Sequence, residues 1–279
     1  MSIAGFFTIT RPANAVISGV TAIIAYLVAT GTIVPSTILL LVIVTLITAA
    51  GNVINDYFDT DIDRINRPER PIPSGLVTPS AARYFAVMLF VAGIIVALFT
   101  PMLCLAIVII NSVILVLYAA KLKGMPVIGN AAVAYLAASI FLFGGAFAGW
   151  DTLVHVVPLA AITFFATMVR EILKDAEDVE GDMAGGADTL PIRIGVPLTT
   201  RIAVGFALVS VVASVVPFLW WGAWYLAGIV IVDIIILAAV IRTLGCAAPA
   251  CIRATRSTTF IKAGMFAALL VFALSAVFL

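Results

Sequence analysis

The sequence predicts an all-α, polytopic membrane protein with nine transmembrane helices, and three observations lead there. Of its 279 residues, 64% are hydrophobic and 10% charged, with a mean hydropathy of +1.25; that balance excludes a water-soluble globule. The apolar residues lie in continuous runs near the roughly 20 residues that a helix needs to cross a bilayer. These runs lack the alternation of a barrel strand, and a helix satisfies its own backbone inside lipid. Polar breaks separate nine of them.

Taken in order, Arg11 and Pro12 precede the first span, at about 13–30. A break at Gly31–Ser36 leads to the second, about 37–57, and a long polar loop runs on to about Ser80. Span three reaches about residue 99, where Thr100–Pro101 turn the chain into span four, which ends near 120. The basic loop 121–126 precedes span five, about 128–149, and a turn at Trp150 and Asp151 precedes span six, about 153–174. A loop rich in glycine and acids reaches Pro197, and spans seven to nine follow at about 198–216, 221–243 and 258–279. The whole chain reads as a single transmembrane domain. No cleaved signal peptide is expected, because no basic segment leads into a short apolar core. Cys104, Cys246 and Cys251 form no CxxC pair and read as small packing residues, with no disulfide or zinc site.

An odd number of spans puts the termini on opposite sides. With a cytoplasmic N-terminus, all fifteen Lys and Arg fall in or beside the N-terminal segment and loops 2–3, 4–5, 6–7 and 8–9. The positive-inside rule therefore places the N-terminus in the cytoplasm and the protein in the cell membrane. The outer turns are short and almost uncharged, so the functional face is expected to be the cytoplasmic one.

Two acidic stretches stand on that face. NDYFDTDID at 55–63 and KDAEDVEGD at 174–182 share the spacing D-x-x-D-x-x-x-D, as Asp56/Asp59/Asp63 and Asp175/Asp178/Asp182. Each ends a span, four helices apart, which predicts a duplication of spans one to four as five to eight, with span nine added. On one continuous helix the carboxylates of each row would line one face. Such crowding calls for a positive partner, and the expected partner is Mg²⁺, which takes few carboxylates together with substrate phosphate oxygens. Arg67 and Arg70 after the first row, Lys121 and Lys123 on the intervening loop, and Lys174 beside the second supply phosphate-binding charge. A diphosphate head with an apolar tail fits this setting, so a prenyl diphosphate is the expected substrate. The allylic cation left after ionisation needs aromatic faces; Tyr57, Phe58, Tyr118, Tyr135 and Phe164 are candidates, each equally readable as packing.

NDYFDTDID with NRPERPIPSG, LYAAKLKGMPVIGN at 117–130 and KDAEDVEGD together resemble the UbiA-type intramembrane prenyltransferases. The resemblance implies nine helices around a central cavity, Mg²⁺-dependent ionisation of a prenyl diphosphate, and transfer to an acceptor. By motif match it implies Asn55, Asp56, Asp59, Asp63, Asp175, Asp178 and Asp182 as metal and diphosphate residues, with Arg67, Lys121 and Lys174 as basic positions. Within the family, the RPxRPIPSG, REIxKDxEDxEGD and GADTLPIRIG segments are most similar to the archaeal digeranylgeranylglyceryl phosphate synthases. That similarity implies geranylgeranyl transfer from geranylgeranyl diphosphate to geranylgeranylglyceryl phosphate, a lipid-phosphate acceptor, within membrane lipid. No nucleic acid and no protein partner is implied.

An aromatic-acceptor prenyltransferase for quinone or tetrapyrrole synthesis differs only in the acceptor. A cation-coupled transporter is the reading from another class, but its sites would lie near the midplane on broken helices rather than at charged helix ends. Asp233, in the middle of span eight, is either a cavity group or a hydrogen-bond partner of a neighbouring helix. Asn111 and Ser112 read as interhelical hydrogen-bonding groups, and Gly145 with Gly149 as helix packing. Asn130 is placed to reach the charged pocket, and His155 lies far from both rows.

Overall fold

A computed structural model describes residues 2–278. Fourteen α-helices occur among them: α1 (Ile3–Ile9), α2 (Pro12–Thr30), α3 (Ile38–Phe58), α4 (Thr60–Asn66), α5 (Pro79–Ala97), α6 (Met102–Ala120), α7 (Ile128–Ala148), α8 (Leu153–Glu177), α9 (Val179–Ala184), α10 (Leu190–Ile194), α11 (Val196–Ser214), α12 (Phe218–Ile241), α13 (Pro249–Thr255) and α14 (Ser257–Phe278). Among the described residues, nine of these are long and apolar enough to cross a membrane. The protein is thus an all-helical, multi-pass membrane protein, with every span within about three residues of its expected place.

Local chemistry sets the ends. Pro12 and Pro79 open α2 and α5 at positions where the missing N–H costs nothing. Thr78 caps α5 by accepting from the Ala81 N–H. Gly31 closes α2 in the left-handed conformation, at φ +70°. The short helices α1, α4, α9, α10 and α13 escaped the sequence reading because five to seven residues carry no clear apolar period.

Two buried clusters hold the bundle. One joins α3, α5 and α6 with parts of α2 and α7. The other joins α8, α11, α12 and α14 with the remaining parts of α2 and α7. The halves therefore meet along α2 and α7, and the seam is tight at Gly144. A Cβ there would lie 2.6 Å from the Ala25 Cβ and 2.8 Å from the Ala22 carbonyl oxygen, so only glycine lets the backbones approach so closely. Outward faces remain apolar: α5 exposes Val87, Val91 and Ile95 while burying Ala86, Phe90 and Ala97. In a bilayer those faces meet lipid.

The structure corrects the reading of the cysteines. Cys246, in the turn after α12, and Cys251, in the first turn of α13, are disulfide-bonded across a Cα–Cα distance of 5.4 Å, and only Cys104 is a free, buried thiol. A turn running into a helix brings positions five apart within disulfide reach, which a search for CxxC misses. The glycine pair also divides. Gly145 does pack against α8, where a Cβ would lie 2.4 Å from the Val156 Cγ2, but Gly149 has open space and φ +133°, and it terminates α7. Asn111 donates across helices to the Ser139 hydroxyl (2.8 Å), whereas the Ser112 hydroxyl donates to its own helix at the Val108 carbonyl.

Candidate active site

Neither aspartate row runs along one unbroken helix. In the first, α3 stops at Phe58 and α4 starts at Thr60, with Asp59 between them at φ −83°, ψ 1°. In the second, α8 stops at Glu177 and α9 starts at Val179, with Asp178 between them at φ −103°, ψ 9°. The middle aspartate of each copy therefore sits at the same kind of break, as a duplicated element should place it.

The break at Asp59 separates the members of the first row, and their contacts show it. Asp56 is buried between Arg11 and Arg70, and Asp63 accepts from the same Arg70 guanidinium at 2.5 Å. Asp59 instead accepts from the Asn55 amide (2.8 Å) and pairs with Lys123 (2.5 Å) from the loop before α7. Arg11 holds its carboxylate from a left-handed backbone position, φ +50°, a strain that the buried pair offsets. Among the described residues no three carboxylate, histidine or cysteine side chains converge on one point. The first row therefore does not form the three-carboxylate face expected of a single helix: Asp56 and Asp63 turn toward arginines, away from Asp59.

The second row is built differently. The Asn130 amide, on α7, donates to Asp175 at 2.8 Å. Among the described residues no Lys or Arg forms an ion pair with Asp175, Asp178 or Asp182, although the neighbouring acids are all engaged: Glu171 with Arg170 and Lys174, Glu177 with Thr258, Glu180 with Arg253. Burial, reinforced by the Asp178 charge, raises the Asp182 carboxyl above the usual carboxylate range. Asp175, Asp178 and Asp182 line one cleft of about 70 Å³ with Lys123, Lys174 and Asn130. The Thr189 hydroxyl is buried on its wall, close enough to Asp182 to offset part of the rise. Lys123 touches both rows, lining this cleft while paired to Asp59.

The other basic residues separate. Lys121 and Arg67 are exposed and do not line the cleft. The Arg70 guanidinium is spent on Asp56 and Asp63 rather than left free for phosphate. Arg11, which the sequence reading passed over, is the missed member of this ion network. Its signal would have been a basic residue before span one on the same side as the motifs.

Behind the cleft lies an apolar cavity of about 380 Å³ between α2, α7, α8, α12 and α14. The two spaces share Val133 and Glu171 as a common wall. Phe141, Phe266 and Phe272 supply its aromatic faces. Of the aromatics singled out in the sequence, only Tyr118 lines the charged cleft, and Tyr57, Phe58, Tyr135 and Phe164 line neither space. Asp233 fills both of its roles: it lines the cavity and accepts from the Ser214 hydroxyl of α11. His155 is remote from the cleft, packed edge-on against Trp220.

Comparison with known proteins agrees with this architecture. The UbiA prenyltransferase family matches residues 18–270. A digeranylgeranylglyceryl phosphate synthase of Methanoregula boonei is 60% identical over all of both chains. A solved structure described as a digeranylgeranylglyceryl phosphate synthase superposes with a TM-score of 0.88 at 34% identity, covering 99% of each chain. A UbiA homolog from Archaeoglobus fulgidus, solved with DMAPP and Mg²⁺, shares the fold at a TM-score of 0.65 and 17% identity, over 94% of this chain and 98% of that one. With two acidic helix ends meeting over an apolar cavity, and a match spanning nearly its whole length, the chain belongs to the UbiA prenyltransferase family.

Proposed function

We propose that the protein transfers a geranylgeranyl group from geranylgeranyl diphosphate to the free hydroxyl of geranylgeranylglyceryl phosphate, giving a diether lipid phosphate at the cytoplasmic face of the cell membrane. One observation carries this reading: a cleft that gathers three carboxylates, none of them in an ion pair among the described residues, with Lys123 and Lys174 opens against an apolar cavity. The names of relatives 60% and 59% identical over nearly the full length support the choice of acceptor.

The donor set suits Mg²⁺. It consists of hard oxygens from Asp175, Asp178 and Asp182 on the cleft wall, with Asp59 and Asn55 joined to that cleft through Lys123. Asp175 and Asp182 are half-buried and Asp178 exposed, and like charges gathered on one cleft favour a cation that joins them. Bound there, Mg²⁺ would neutralise charge on the diphosphate as the allylic C–O bond breaks. Asp56 and Asp63 have a positioning part, fixing the end of α3 through Arg70.

Lys123 and Lys174 add point charges that bind the diphosphate oxygens. The tail lies in the cavity, where Phe141, Phe266 and Phe272 stabilise the allylic cation by roughly 0.5–2 kcal/mol each and apolar walls exclude water. The acceptor oxygen forms a bond to C1, and its proton passes to released diphosphate or to a cleft carboxylate. No histidine is needed, because the cation accepts a weak nucleophile.

Purified protein given Mg²⁺, geranylgeranyl diphosphate and geranylgeranylglyceryl phosphate should release diphosphate and yield the diether. Turnover with an aromatic acid, and none with the glyceryl phosphate, would move the acceptor to the aromatic class.

A further inference from the structure

We infer that Arg170 and Lys262 form a second anion subsite, separate from the diphosphate cleft, which takes the phosphate monoester of the lipid acceptor. The inference rests on the prenyl-transfer reading above and adds how the acceptor is held.

Both residues line the apolar cavity, Arg170 from α8 and Lys262 from α14. Their helices meet at the motif-bearing end, where the Thr258 hydroxyl donates to Glu177. Arg170 lies seven residues before the end of α8, and Lys262 five after the start of α14. At 1.5 Å per residue each is about 8–10 Å inside that end. Cations that line an otherwise apolar cavity mark a ligand path or a charge partner. Their protein partners do not exhaust them. One terminal nitrogen of Arg170 pairs with Glu171, but its Nε is buried with no hydrogen-bond partner among the described residues. Lys262 forms no ion pair among those residues, while Asn14 and Thr21 of α2 bring neutral polar groups to the same cavity.

The chemistry fits a phosphate monoester. It carries about −1.5 to −2 charge and three acceptor oxygens, and a guanidinium fork beside an ammonium matches that charge and geometry. Glu171 lines both spaces and stands between this pair and the aspartate cleft. A phosphate held by Arg170 and Lys262 therefore stays off the metal site, while its glycerol hydroxyl can approach the allylic carbon past the shared wall. Ile162, Met265 and Leu269 line the same cavity and are available to the acceptor's hydrocarbon chain.

The test compares kcat/KM for geranylgeranylglyceryl phosphate with that for its dephosphorylated alcohol, using the full chain with Mg²⁺ and geranylgeranyl diphosphate. Lys262→Gln should cut the preference for the phosphorylated acceptor about tenfold, in line with loss of a charge-assisted hydrogen bond. The loss should lie in the acceptor's KM, with the KM for geranylgeranyl diphosphate held within about twofold, and Lys262→Arg should restore most of the preference. Arg170→Gln should act in the same direction, and its folding is checked separately because it frees Glu171. An unchanged preference in Lys262→Gln would leave this lysine a lipid-facing cation and overturn the inference. A parallel rise in the KM for the diphosphate substrate overturns it too, by assigning the pair to the donor. If the wild-type protein uses neither acceptor, the acceptor reading itself fails, a result distinct from a wild type that turns over and a variant that matches it.

Discussion

The two aspartate rows share a spacing and a helix break, yet the structure treats them oppositely. The first is neutralised from within: Arg11 and Arg70 enclose Asp56 and Asp63, and Lys123 meets Asp59. The second has an amide on Asp175 and, among the described residues, no basic side chain on any of its three carboxylates. The copies thus differ in their pairing: arginines lock Asp56 and Asp63 into the fold, whereas Asp175, Asp178 and Asp182 form no ion pair among the described residues.

The largest effect expected from this contrast is on turnover. Asp178→Asn or Asp59→Asn should lower kcat by on the order of 10³-fold, the scale of losing a group that stabilises developing charge, while the protein still inserts and purifies as a folded species. Near-normal rates in both variants would sink the two-row metal site.

Stability should separate the rows next. Arg70→Ala strands buried Asp63 and leaves Asp56 with Arg11 alone, and should destabilise the protein by roughly 3–5 kcal/mol. Asp175→Asn, which removes a charge lacking an ion-pair partner, should leave the metal-free protein at least as stable as wild type. Thermal unfolding in Mg²⁺-free detergent measures both, and equal losses would erase the distinction.

The pH dependence sharpens it further. Burial raises the Asp182 carboxyl in the folded protein, so the folded state holds its proton more tightly than the unfolded chain. That contribution is favourable to folding only while the group stays protonated, and stability falls as pH rises from the ordinary aspartate range through the raised one. The metal-free protein should therefore lose stability over that interval. Asp182→Asn should flatten the slope, and an unaltered slope would remove Asp182 as its source. The smallest effect belongs to Asp61, in the midst of the first row but exposed and paired only with Arg64. Asp61→Ala should change neither melting temperature nor rate measurably, and a large loss would mean that the first row extends beyond its three spaced members.

Much of this molecule is legible in its residues. The spans were readable because lipid demands about 20 apolar residues per helix, a constraint that leaves little room for tertiary override. Asp175, Asp178 and Asp182 were legible as a set because their spacing repeats that of Asp56, Asp59 and Asp63. Asn130 was legible by its place at the start of a span beside a basic loop. The aromatic lining was not: Phe141 and Phe272 look like any other apolar residue in a span, and only the angle between helices decides which phenylalanine meets a cavity. The Cys246–Cys251 bridge was missed for a related reason, since a turn fixes that distance and no spacing rule does.

By itself the sequence determined the helical class, the number of spans, the asymmetry of basic charge and the repeated acidic spacing, all local consequences of hydropathy and periodicity. Tertiary structure decided which of the acids are spoken for. Arg11 lies 45 residues from Asp56, and Lys123 lies 64 from Asp59. Whether a carboxylate is a structural anion or a vacant ligand depends on the charge packed beside it, and only the fold brings that charge there.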